Sequence, residues 1–116
     1  MSSVLHEILQ ERLRQNEKWG EQNHPDGTGP ETTPIAEIMR GTVVNSHYAL
    51  GLSFQAKSTT DEHAAVGTVT FSDILLEEVF EALAESDPAK LRAELVQVAA
   101  VATQWVEAID RRGVNQ

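Results

Sequence analysis

Cysteine is absent from the 116-residue chain, which excludes disulfides, thiolate nucleophiles and cysteine-ligated zinc. Aromatic residues are scarce at 5% although 41% of the chain is hydrophobic. The apolar content is therefore Ala, Val, Leu and Ile, a composition of helices more than of aromatic β-strands. Basic residues are outnumbered two to one, 9 against 18 acidic, and the formal net charge of -9 argues against a surface that binds DNA or RNA. No apolar run approaches the ~18 to 20 residues of a membrane span, and the first residues, Met1-Ser2-Ser3-Val4-Leu5-His6-Glu7, lack the basic start and apolar core of a secretion signal. The expectation is a cytoplasmic, single-domain protein over residues 1–116, with no nucleic-acid or membrane partner.

What is present is helical periodicity. Val4, Leu5, Ile8, Leu9 and Leu13 recur at threes and fours up to Trp19, which predicts an amphipathic helix ended by Gly20. Residues 20–33, dense in turn formers, read as a loop. Thr33-Pro34 pairs a cap with proline at the first helical position, so a second helix is expected to start there and run through Ile35, Ile38, Met39, Val43 and Tyr48, with no signal that marks its far end. From Gly51 to Gly67 no clear period is visible, so a frayed helix end is expected there, with residues 58–69 as a mobile loop. Thr70 with Asp73 is a helix-start signal for a third helix to Glu85, burying Leu75, Leu76, Val79, Phe80 and Leu83. Asp87-Pro88 starts a fourth, to about Arg111, with a core stripe of Leu91, Leu95, Val98, Ala102, Trp105 and Ile109 and a stop at Gly113. The fold class read from this pattern is all-α, a four-helix bundle.

The last two helices are separated by so few residues that they must reverse direction and pack as an antiparallel hairpin. Glu78 and Glu81 stand three apart on one, Glu94 and Gln97 three apart on the other, so each pair projects from one face. Counting from the turn, Glu81 and Glu94 differ in axial position by about 5 Å, one helical turn, which side chains can bridge. The result is an oxygen-lined cage of hard donors, suited to Mg²⁺, Mn²⁺ or Ca²⁺. Carboxylates this close need a cation or a proton.

At these residues the chain resembles the MazG-type all-α nucleoside triphosphate pyrophosphohydrolases. Their signature, Glu-Glu-x-x-Glu followed after a helix-turn-helix link by Glu-x-x-Asp, is matched by Glu77-Glu78-Val79-Phe80-Glu81 and Glu94-Leu95-Val96-Gln97. The first half is similar to small bacterial and phage members through Glu11-Arg12-Leu13-Arg14-Gln15 and Lys18-Trp19-Gly20-Glu21-Gln22-Asn23-His24-Pro25-Asp26-Gly27. The resemblance implies a MazG-like bundle and Mg²⁺-assisted cleavage of a nucleoside triphosphate to monophosphate and pyrophosphate. It also implies a homodimer or homotetramer. In that scheme Glu78, Glu81 and Glu94 hold the metal, Mn²⁺ being an alternative to Mg²⁺, and Glu77 is the catalytic candidate that orients or deprotonates water. Gln97 stands where the family has aspartate; its amide oxygen can coordinate but carries no charge.

Lys18, Trp19 and Gln22 are candidate substrate-binding residues, the indole through stacking on a base and the ammonium through phosphate. The competing reading makes Trp19 a cap on the core and Lys18 a solvated charge at a helix end. His24, His47 and His63 have no ligand spacing, which argues against a histidine zinc site. Apolar stripes on the Val98/Trp105 and Val43/Tyr48 sides exceed what one small bundle covers, an independent reason to expect an oligomer. The rival to an enzyme is a nucleotide-binding or helical interaction module that has kept the fold while Gln97 weakens its chemistry.

Overall fold

The computed structural model describes residues 2–29 and 46–114, and the described residues form four helices and no strand: α1 Ser2–Trp19, α2 Ser46–Ala65, α3 Phe71–Ala84 and α4 Pro88–Val114. The fold is all-α. None of these helices is long and apolar enough to cross a membrane. Contacts gather into two compact units, one formed by Met1–Asp26 with Ala102–Gln116 and the other by Gly27–Val101.

Within Gly27–Val101, α2 packs against α3. It runs straight through the stretch where the sequence showed no period, and the loop expected over 58–69 is a helix as far as Ala65. The reason is that its packed face is small rather than large. Ala49 and Ser53 are buried and Ala56 and Thr60 half-buried, at steps of four, three and four that place them on one side of the helix. Small side chains let the backbones approach without leaving a stripe of large hydrophobics to detect. The expected helix start at Thr33-Pro34 and the stretch up to Asn45 lie outside the described residues, as do the side chains of His47 and Tyr48.

The α2–α3 link is short and tied at both ends. Thr68 donates its amide to the His63 carbonyl at 2.8 Å, and Thr60 donates its hydroxyl to the Asp73 carbonyl at 3.2 Å. The expected cap of α3 forms as a reciprocal capping box. The Thr70 hydroxyl accepts from the Asp73 amide and the Asp73 carboxylate accepts from the Thr70 amide, each at 3.1 Å. Asp73 also meets His63 Nδ1 at 2.8 Å. Hydrogen bonds from His63, then from the Thr70 backbone, hold its carboxyl below the usual carboxylate range.

Between α3 and α4 lie only Glu85, Ser86 and Asp87. The Asp87 carboxylate caps α4 by accepting from the Lys90 amide at 3.0 Å, as its place before Pro88 predicts. A distant piece of chain clasps this turn: Gly29 donates its amide to the Leu83 carbonyl at 3.2 Å and Thr28 donates its hydroxyl to the Glu85 carbonyl. Carbonyls that helix geometry leaves unpaired at the end of α3 are thereby satisfied. Gly29 has φ +91°, and a Cβ there would lie 2.7 Å from Ser86 Cβ. Glycine is required at this close approach.

Burial is sparser than the expected stripes. Ala82, Leu91 and Val101 are buried and Leu75, Val79, Phe80 and Leu83 half-buried, but Leu76, Leu95 and Ile109 are about half exposed. In the unit of Met1–Asp26 with Ala102–Gln116, α1 ends at Trp19 as expected, with Gly20 at φ +69° donating to the Asn16 carbonyl at 2.7 Å. Val4 is buried, whereas Leu5, Ile8, Leu9 and Leu13 all remain exposed. The α4 helix ends at Val114, about three residues beyond the expected end at Arg111 and past the Gly113 stop signal.

Candidate metal centre

Glu77, Glu78 and Glu81 project from α3 and Glu94 from α4, all within Gly27–Val101. The hairpin brings one carboxylate oxygen each of Glu78, Glu81 and Glu94 within 4.8 Å of one another, and all three residues are half-buried. The stagger between the helices is thus bridged by side-chain reach. Gln97 lies one turn further along α4 with an exposed side chain.

Crowding has an electrostatic consequence. Burial first, then the charges of Glu94 and Glu77, raise Glu78 above the ordinary carboxylate range. Glu81 is pushed up to about 7 by burial, by the charges of Glu78 and Glu94, and by a hydrogen bond with Glu94 that favours its protonated form. Glu81 therefore takes up a proton as pH falls through about 7, and a divalent cation would compete with that proton. The donor set fits such an ion. An octahedron with bonds of about 2.1 Å separates its oxygens by roughly 3.0 to 4.2 Å, so small side-chain adjustments suffice. Glu77 is half-buried beside the three and close enough for its charge to act on both Glu78 and Glu81.

Lys18, Trp19 and Gln22 belong to the other unit, at the end of α1. Trp19 is 57% exposed and does not cap a core. Lys18 Nζ sits 4.8 Å from its ring centroid, a cation–π contact. Gln22 donates its side-chain amide to the Trp19 carbonyl at 3.1 Å, and its Oε1 meets His24 Nε2 at 2.7 Å. Trp19 and Gln22 line an open groove together with Arg12 and Gln15, which the sequence offered only as part of the resemblance, and Asn16, which it did not single out. The signal was present in their spacing: 12, 15, 16 and 19 mark one face of a helix.

Comparison of the chain with protein-family models, with curated proteins and with solved structures finds no match in any of the three.

Proposed function

We propose that the chain is a metal-dependent nucleoside triphosphate pyrophosphohydrolase of MazG-like architecture. The observation that carries the reading is the convergence of Glu78, Glu81 and Glu94 within 4.8 Å on a half-buried face, whose mutual repulsion a cation would relieve. Mg²⁺, or Mn²⁺ with the same hard donors, is the ion this set suits. When bound it supplies positive charge against the triphosphate oxygens.

The chain's own residues divide the remaining work. Glu78, Glu81 and Glu94 would hold the ion, and Gln97 would add a neutral oxygen. Glu77 orients a water and accepts its proton as the water oxygen bonds to phosphorus. The bond from that phosphorus to the oxygen bridging the α- and β-phosphates breaks, and the electron pair leaves with the departing group, yielding monophosphate and pyrophosphate. Lys18, Trp19 and Gln22 are the substrate contacts of this reading. A homodimer or homotetramer belongs to it as well, supported by the exposed Leu5, Ile8, Leu9 and Leu13 on one helix. Light scattering at micromolar concentration is expected to find more than one chain per particle.

A second reading, supported by Gln97 in place of an acid and by its exposure, is a nucleotide-binding or interaction module with weakened chemistry. Pyrophosphate release from a panel of ribo- and deoxyribonucleoside triphosphates with Mg²⁺ or Mn²⁺ separates the two. Release that depends on metal and on Glu81 supports the enzyme. Silence across the panel sinks it.

A further inference from the structure

The groove at the end of α1 contains a cation held in an unusual way. Arg12 donates from one terminal nitrogen to Gln15 Oε1 at 2.7 Å and from the other to Asn16 Oδ1 at 3.0 Å. Both partners are neutral amides, so the guanidinium is braced without an ion-pair partner among the described residues. The nearby acid is committed elsewhere: Glu11 pairs with Arg14 and accepts from Gln15 Nε2 at 3.3 Å. Gln15 therefore works as a strut, anchored on Glu11 by its nitrogen and on Arg12 by its oxygen.

Two of the five N–H groups of the guanidinium are occupied in this bracing, which leaves the others for a ligand. A planar guanidinium with fixed orientation is suited to a phosphate oxygen pair. Seven residues further along the same face, about 10 Å by helical rise, stands the exposed Trp19 indole. Drawn toward Gln15 and Asn16, Arg12 leans along the helix toward that ring. The one acid in the lining, Glu21, lies nine residues along the chain from Arg12 and accepts from Asn23 at 2.8 Å.

An anion seat and an aromatic platform on one helix face match a molecule with a phosphate at one end and a flat ring at the other. We propose that this groove binds a nucleoside monophosphate moiety without metal, Arg12 taking the phosphate and Trp19 stacking the base, with Gln15 and Asn16 as positioning residues for Arg12. The proposal deepens the pyrophosphohydrolase reading and rests on it for the choice of ligand; the seat itself is built from α1 alone. Stacking of a base on an aromatic side chain contributes about 1–3 kcal/mol, which is roughly 5- to 150-fold in affinity.

The test is titration of the full chain with adenosine 5′-monophosphate and the three other common ribonucleoside monophosphates in excess chelator, followed by the indole N–H resonance of Trp19. That resonance is assigned with Trp19→Phe. At least one monophosphate is expected to move it, with Arg12→Gln weakening binding tenfold or more and Arg12→Lys falling between. Adenosine itself is expected to bind weakly and equally to the parent protein and Arg12→Gln. Both Arg12 variants are checked for an unchanged helical circular dichroism spectrum, and Arg12→Lys keeps the test open should Arg12→Gln alter it. Monophosphate binding that is indifferent to Arg12, that leaves the Trp19 resonance in place, or that is absent for all four ligands overturns the proposal. Metal-dependent pyrophosphate release is measured in parallel. Its absence despite monophosphate binding defeats the enzyme reading alone, and its presence without binding in the groove defeats this inference alone.

Discussion

On the α3–α4 hairpin, Glu78, Glu81 and Glu94 crowd one another, and none has a basic partner among the described residues. At the end of α1, Arg12 is braced by two amides while the neighbouring Glu11 is given to Arg14. One region concentrates charge of a single sign and answers the strain by holding a proton. The other orients a charge without neutralising it. Both arrangements are poorer for stability than the obvious alternatives, an apolar hairpin seam in the first case and an Arg–Glu pair in the second. Sites that keep unfavourable charge in a fixed geometry are where ligands of opposite charge are expected.

The largest effect that breaks the comparison is loss of one carboxylate. Glu81→Gln is expected to lower Mn²⁺ affinity by about 100-fold or more, since even residues that only orient metal ligands cost 10- to 100-fold. Arg12→Gln should leave Mn²⁺ affinity unchanged, because a guanidinium offers a divalent ion no donor atom and the clustered oxygens belong to Glu78, Glu81 and Glu94 alone among the described residues. Isothermal titration with Mn²⁺ reads both. Equal loss in the two variants would show that metal affinity does not depend on the carboxylate cluster in particular.

Next in size is the clasp on the α3–α4 turn. Gly29→Ala places a Cβ against Ser86 at a backbone angle of +91°, and holding a non-glycine residue there costs about 1–3 kcal/mol. Urea unfolding is expected to shift by that amount, and Ser86→Gly to recover part of it by removing the nearest atom. If Gly29→Ala is neutral, the turn is not clasped by residues 28 and 29, and the hairpin holds its carboxylates unaided.

How much of this was legible in the sequence depended on residue size and on which face was being read. Caps were legible because Thr70 with Asp73, and Asp87 before Pro88, satisfy helix ends by local chemistry alone. The carboxylate cluster was legible for a similar reason, since spacing by three and a three-residue turn leave little freedom. The α2 helix was not, because Ala49, Ser53, Ala56 and Thr60 pack by being small and carry no hydrophobic period. The exposure of Leu5, Ile8, Leu9 and Leu13 was invisible too: an apolar stripe announces a surface to be covered and is silent on what covers it. Arg12 and Gln15 entered the sequence reading only through the resemblance, because their bracing with Asn16 depends on side-chain conformations that spacing does not specify.

Acidity sharpens the contrast at about tenfold per pH unit. With Glu81 raised to about 7, Mn²⁺ must displace a proton below that pH, so affinity should fall about tenfold per unit there and level off above it. Without metal the sign reverses. A carboxyl whose pKa is raised by folding binds its proton more tightly in the folded state, so its contribution to stability is fully present below about 4.5 and is lost as pH rises through about 7. The apo protein should therefore gain stability on going from pH 8 to pH 6, and Glu81→Gln should flatten that slope while raising stability at pH 8. Thermal melts at both pH values decide it, and an unchanged slope in Glu81→Gln would move the proton off this cluster.

The smallest expected effect falls on Gln97. Replacing it by aspartate adds a full charge on the metal side of α4, but at an exposed position where water screens most of the gain. A modest rise in Mn²⁺ affinity, about threefold, is expected, and it should weaken further in high salt. Pyrophosphate release should follow if the amide is what limits turnover. Should Gln97→Asp raise affinity with no effect on release, the position tunes metal loading only, and the chemistry depends on Glu77 and the three carboxylates beside it. A fall in affinity would be more instructive still, since a fifth carboxylate would then be adding to the repulsion that already raises Glu81.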